Sequence, residues 1–267
     1  MITEAISSLE IDRYAVGLPL IFLFSLFCGI LQYLVTRSLP KNSLDPEIVG
    51  GFFQVIGTVY GILIGLVVFD ATSRYANAHE TVEKESKAII QVFALSSAIK
   101  SDAAGEKIAK KIKEYNDEVV LNDWDILQNG SVNLRARNLL KEINDLVLSI
   151  RPTKINEQAI LPLLIQASID VWCNRISRFD VSGFDLPESE WALLIAGAFL
   201  TILTTFFYND GRGIAQAALV FITTLILCSS LYAVLMFSEP YRGDFVVSKE
   251  PFIISQRIIS GMYYQGK

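Results

Sequence analysis

The chain is poor in the residues that carry catalysis or bind transition metals. Among 267 residues there is one histidine, His79, and there are three cysteines, Cys28, Cys173 and Cys228. A single histidine removes most metal-site and triad chemistry. Cysteines without a C-x-x-C pair, two of them inside apolar runs, argue against a zinc site or a disulfide framework. No long Lys/Arg cluster is present, so no nucleic-acid footprint is expected. The first residues carry Glu4, Glu10 and Asp12 rather than a basic region, and the first apolar run is too long for a cleaved leader, so none is expected. There is also no phosphate loop after a strand, no H-E-x-x-H, no nucleophile elbow and no inward acidic pair. The sequence thus predicts neither an enzyme nor a cofactor. Charge is missing from the apolar runs as well, although 52% of all residues are hydrophobic, the net charge is −5 and the mean hydropathy is +0.41. That is too apolar for an ordinary soluble domain.

What is present is a set of four membrane-length runs. The organising one is residues 48–69, with Gln54 as its only strongly polar side chain. At roughly 1.5 Å per residue, about 22 residues cross a hydrocarbon core of roughly 30 Å. Past it come Asp70, Arg74, Glu80, Glu83, Lys84, Glu85 and Lys87, yet apolar residues keep helical spacing through Tyr75, Ala78, Val82, Ile89 and Val92. No proline occurs between Gly50 and Lys100, which predicts one long helix leaving the membrane. The other spans are predicted at 15–36, with Pro19 tolerated near its start, and at 191–208 and 215–237. The turn between the last two, with Asn209, Asp210 and Arg212, is short enough to make them antiparallel neighbours.

The segment 71–190 has no membrane-length run and reads as helical throughout. After the stem, Ser101 or Asp102 can cap a helix with Ile108, Ile112, Tyr115 and Val119 on one face. Asn129-Gly130 should stop it, and Ser131 can cap a third helix bearing Leu139, Leu140, Ile143, Leu146, Val147 and Ile150. A fourth is predicted from about Asn156 to Arg178, with Ile160, Leu164, Ala167, Val171 and Trp172 inward. These helices are short of a free-standing core and should pack on each other, on the stem or on neighbouring subunits. The tail, 238–267, can re-dock on them. Residues 1–70 hold a short amphipathic lead and the first two spans.

Four spans place both termini and the long middle segment on one side. Near the span ends that side carries Arg13, Arg74, Lys84, Lys87, Arg175, Arg178, Arg242 and Lys249, against Arg37, Lys41 and Arg212 opposite. The positive-inside rule then predicts a multi-pass inner (plasma) membrane protein with cytoplasmic termini. The fold class expected is an all-α membrane protein, with four transmembrane helices and a helical cytoplasmic domain inserted between spans two and three.

Three blocks carry a family resemblance: F-F-Q-V-I-G-T-V-Y-G-I-L-I-G-L-V-V-F-D-A-T-S-R-Y with H-E-T-V-E-K-E-S-K-A, L-P-E-S-E-W before the third span, and E-P-Y-R-G-D-F-V-V-S-K-E-P-F after the fourth. In order and spacing the chain resembles the bestrophin-like membrane proteins of bacteria. Bestrophins are pentameric anion channels with a pore along the subunit axis. The resemblance therefore implies a homo-oligomer in the lipid bilayer with small inorganic anions as partners. A topology transfers more safely than an activity. The alternative is a non-conducting scaffold or sensor whose cytoplasmic helices bind a partner and whose second span is sealed by tight packing. A transporter is a weaker third reading, since no inverted repeat or broken mid-membrane helix is visible.

Several residues could carry function. Gly57, Gly61 and Gly65 recur every fourth residue on one face of the second span, where small residues let helices approach. Packing within one subunit is the plain reading; packing around a symmetry axis, with Gln54 and Thr58 close to a pore, is the sharper one. Packing of some kind is preferred over direct contact with an ion. Asp70 and Arg74 are four apart and can pair, or can ring a pore mouth; the simple ion pair is preferred. Glu239 and Arg242, with Pro240, Tyr241 and Gly243, suggest a fixed turn at the membrane interface that locks tail to stem. Glu80, Glu83 and Glu85 read as a solvated face, and His79 as a plain surface residue.

Overall fold

The computed structural model describes residues 13–38, 46–100, 103–128, 130–182, 186–207 and 213–265. The amphipathic lead up to residue 12, Pro40, Lys41, Asn42, the cap candidates Ser101 and Asp102, Asn129, and the turn residues Asn209, Asp210 and Arg212 lie outside the described residues. Every regular element among the described residues is helical: α1 Tyr14–Ser38, α2 Pro46–Ala98, α3 Ala103–Glu118, a π-helical turn Val119–Asp123, α4 Trp124–Gln128, α5 Leu134–Ser149, α6 Ile155–Ser182, α7 Glu188–Phe207, α8 Gly213–Ser238 and α9 Glu250–Gln265. The helices α1, α2, α7 and α8 are long and apolar enough to cross a membrane. These are the four spans read from the sequence; the helices begin one to three residues before the expected starts, and residue 208, the expected end of the third span, lies outside the described residues. Helix α2 is continuous over 53 residues, as the unbroken periodicity and missing proline require.

The chain divides into two compact units. The four-span unit comprises residues 1–74 and 185–245, and the helical unit residues 75–184 and 246–267. In the four-span unit α1 lies along α8 in the opposite direction. A Cβ on Gly29 would sit 3.1 Å from the Ala217 carbonyl oxygen, and one on Gly213 3.4 Å from Thr36 Oγ1. The Phe22 and Phe221 rings meet edge to face at 5.6 Å. Tyr60 and Ile64 of α2 pack with Trp191, Leu194 and Ala198 of α7 and Leu235 of α8, and the Tyr60 hydroxyl donates to the Leu194 carbonyl at 3.1 Å. Gly197 permits this contact, because a Cβ there would lie 2.6 Å from Tyr60 Cε2.

In the helical unit the apolar faces expected of the middle segment converge. Ile89, Val92, Ile108, Ile112, Val171 and Phe252 are fully buried. The tail does re-dock. Helix α9 seats Phe252 and Ile259 in this core, Asn116 Nδ2 donates to the Phe252 carbonyl at 3.2 Å, and Ser255 Oγ donates to Asn116 Oδ1 at 3.0 Å. Burying each such side chain is worth about 1.5–3 kcal/mol. The cap of α5 differs from expectation. Asn133, rather than Ser131, accepts the Ala136 N–H at 3.1 Å, because the chain stays extended until Asn133 (ψ 97°). Gly130, at φ 64°, turns the chain after α4 as the expected stop requires.

Candidate functional site

Helix α2 is the least covered span. Only 11% of its span residues are buried, against 22–33% for the others. Its covered side is the Tyr60–Ile64 face. At roughly 100° per residue, Thr58 and Gly65 fall toward the opposite side, Gln54 and Gly61 on the flank between, and Gly57 at the edge of the covered side. A Cβ built on Gly57, Gly61 or Gly65 meets nothing within 4 Å. The packing of this glycine face against the first or third span, the plain reading of the sequence, is therefore not what its own chain supplies. The glycines that admit close neighbours inside the unit are Gly29 and Gly197, which the spacing argument passed over because neither belongs to a repeat. On the open face Thr58 Oγ1 donates to the Gln54 carbonyl at 2.7 Å, which leaves the Gln54 side chain exposed beside it. Phe52, Val55, Ile62 and Phe69 are also more than 60% exposed. The face offers small, neutral and apolar surface, with no carboxylate.

Asp70 and Arg74 do pair, Nε to Oδ2 at 2.7 Å on an exposed surface. Such a pair is worth about 0.3–0.5 kcal/mol. Helical periodicity turns both away from the glycine face. Asp70 instead borders a hollow of about 280 Å³ between α2 and α7, which Glu190 also lines. If the glycine face meets an axis, these charges do not ring it. On the same side of the spans, the turn after α8 is fixed: the Arg242 N–H donates to the Glu239 carbonyl at 3.1 Å, their side chains approach to 3.9 Å, Tyr241 is buried and Gly243 takes φ 71°. Asp244 Oδ2 accepts the Tyr14 N–H at 2.9 Å, so this turn caps the start of α1.

The helical unit holds a polar centre that the sequence did not disclose. Glu85 is completely buried, not part of a solvated face, whereas Glu80 and Glu83 are exposed and pair with Lys84 and Lys87 at 2.8 Å. Arg178, also buried, donates from Nε to Glu85 Oε2 at 2.8 Å and from Nη2 to Glu85 Oε1 at 3.2 Å and Asp123 Oδ2 at 2.6 Å. Arg175 Nη1 reaches the same Asp123 oxygen at 2.8 Å, and the Tyr115 hydroxyl donates to Glu85. The π-helical turn places Asp123 here. One extra residue per turn rotates the side chains that follow, and such insertions gather at special sites. Arg178 also stacks over Trp124 and Phe252, with 5.3 Å to each ring centre.

Two arginines and two carboxylates balance, which is how buried charge is tolerated. Burial alone would push the Asp123 carboxyl up, but Arg178 and Arg175 outweigh it and hold it below the usual range. Burial, reinforced by Glu85, pushes the Tyr115 hydroxyl well up and keeps it neutral. Burial disfavours charge on Arg178 and Arg175, but their anionic partners hold both firmly protonated. With Glu85 thus engaged, it cannot join Glu80 and Glu83 around a divalent cation. His79 stands exposed, Nδ1 3.6 Å from Glu83.

Comparison with known proteins adds the lineage. Two crystal structures of a bacterial bestrophin homologue from Klebsiella pneumoniae, one of a substituted form and one phased on zinc, superpose on this chain with TM-scores of 0.72 and 0.70. Sequence identities are 10% and 9%. The matches cover 92% and 91% of this chain and 98% and 97% of the other. Another crystal structure, described only as a membrane protein, agrees equally well (TM-score 0.72, 9% identity). At such identities the likeness is one of fold. No curated protein matches the sequence. The Bestrophin-like domain, however, is matched over residues 21–252, from the first span through the turn after α8 and into α9, and the chain therefore belongs to the Bestrophin-like family of membrane proteins.

Proposed function

We propose that the protein is an oligomeric anion channel of the inner membrane, with α2 lining the pore. One observation carries this reading: the Gln54–Thr58–Gly61–Gly65 side of the longest helix is left bare by its own chain, while the Tyr60–Ile64 side is packed. In a bilayer such a face meets lipid, another subunit or an aqueous axis, and glycine is a poor filler of lipid contact. The lack of any carboxylate on that face disfavours cations, and Gln54 presents amide donors. Apolar neighbours such as Ile62 and Phe69 are suited to a constriction that gates by dewetting. The excess of Arg and Lys near the helical-unit ends of the spans supports cytoplasmic termini. This reading assigns the chain no catalysis.

The test is planar-bilayer recording of the purified protein with unequal salt on the two sides. The expected outcome is a unitary current with an anion-selective reversal potential, altered by Gly61→Leu without loss of membrane insertion. Silence from folded protein under varied calcium, pH and voltage would refute it. A second reading, a non-conducting scaffold, is favoured by one feature. Ile254, Ile258 and Met262 form an exposed i, i+4, i+8 stripe on α9. That reading requires the silent outcome together with a soluble partner lost on Ile258→Glu.

A further inference from the structure

The helical unit contains a cavity of about 250 Å³ beside the buried ion network, formed by the end of the π-helical turn, α4, the loop into α5, α5 itself and α6. Its walls are largely apolar, with Ile126, Leu127, Val132, Trp172, Ile176 and Phe179. Its polar lining is dominated by arginine: Arg137, Arg175 and Arg178 against the single carboxylate Asp123. Glu85, behind Arg178, offsets a second positive charge, which leaves one in surplus. Arg137 supplies it, since this exposed side chain makes no ion pair among the described residues. Arg178, 99% buried, adds an Nη1 with no hydrogen-bond partner among the described residues. A buried, unpaired guanidinium N–H is costly.

We propose that this cavity is a binding site for a small organic monoanion, a carboxylate on an apolar or aromatic body. The volume fits, since a cavity of about 150 Å³ already holds benzene. Charge selects the head group, because arginine takes a carboxylate in a planar, two-point contact. Apolar walls beside Trp172 and Phe179 select the body, and exclude well-hydrated inorganic ions, which would lose water there without compensation. The ligand enters past Arg137 and rests against α6, the helix that bears Arg175 and Arg178. The site is independent of conduction.

Titration calorimetry on the full-length protein in detergent tests it, with benzoate as the probe and with benzamide and chloride as controls. Benzoate should bind saturably at one site per chain, benzamide at least tenfold more weakly and chloride not at all. Arg137→Gln should weaken benzoate at least tenfold with an unchanged melting temperature in the absence of ligand. Ile176→Trp, which fills the cavity, should abolish binding. No saturable benzoate binding up to millimolar concentration would overturn the proposal, as would equal binding of benzamide or indifference to Arg137→Gln. Dissociation of the oligomer by Ile176→Trp would likewise overturn it, by showing that another subunit occupies this face. None of these outcomes bears on the pore.

Discussion

Substituting Glu85 by glutamine leaves the size of the side chain and removes its charge. Arg178 then keeps an acceptor for only one of its Nε bond at 2.8 Å and its Nη2 bond at 3.2 Å, and the new amide N–H₂ faces the other guanidinium donor. Two buried arginines remain against Asp123 alone. Breaking a buried pair from one side costs about 3–5 kcal/mol, because an uncompensated charge stays in a poorly polarisable interior. For a unit of this size that is a fall in melting temperature of roughly 10–20 °C. A thermal melt of the purified protein followed by far-ultraviolet circular dichroism, with tryptophan fluorescence to which Trp124 beside the Arg178 guanidinium contributes, reads it. The double substitution Glu85→Gln with Arg178→Met should recover part of the loss, since removing both charges costs less than stranding one. If Glu85→Gln alone melts within 2–3 °C of the parent, below about 1 kcal/mol, the network does not hold the helical unit together. The same conclusion follows if the double variant is worse than the sum of the singles.

Other outcomes follow from the geometry. Gly197→Ala should cost about 1–3 kcal/mol, because the new methyl lies 2.6 Å from Tyr60 Cε2, whereas Gly61→Ala meets no neighbour within its own chain and should leave membrane insertion intact; paired expression and melting measurements compare them. Gly105→Ala should destabilise the helical unit by a similar amount, since its Cβ would lie 2.7 Å from the Ser96 carbonyl oxygen, a backbone atom that cannot rotate away; denaturant titration reads it. Acid should also weaken this unit. Asp123 is held below its unfolded range, so its contribution is full above about pH 4 and is lost as pH falls further. Melting curves taken from pH 6 to 3 should show that slope in the parent and a shallower one in Asp123→Asn.

Each span was readable in advance because it is a local property: a run of apolar residues, long enough and uncharged, has one solution in a bilayer. The length of α2 was readable for the same reason, as was the inward face of α3, where Ile108, Ile112 and Tyr115 repeat at helical spacing and are all buried. Glu85 was not readable. It sits among Glu80, Glu83, Lys84 and Lys87, a pattern that in isolation describes a solvated helix face. Its partners Tyr115 and Arg178 lie 30 and 93 positions further along, and no spacing rule connects them. A faint signal existed: Glu85 falls on the same helical stripe as Val82, Ile89 and Val92, where charge is out of place unless it is paired.

The glycine face of α2 shows the same division. Its register, every fourth residue on one side, was plain from the sequence. Whether that side meets its own chain was not, because packing depends on where α1, α7 and α8 settle. Tertiary structure placed Tyr60 and Ile64 against α7 and left Gln54, Thr58, Gly61 and Gly65 bare, and it gave the role of close-approach residue to Gly29 and Gly197. By itself the sequence determined four spans, an all-helical course and the faces of individual helices, since hydropathy and periodicity act over a few turns. Only the tertiary structure decided which charges are buried together and which face of the second span stays open, since those depend on contacts between residues that are distant in the chain.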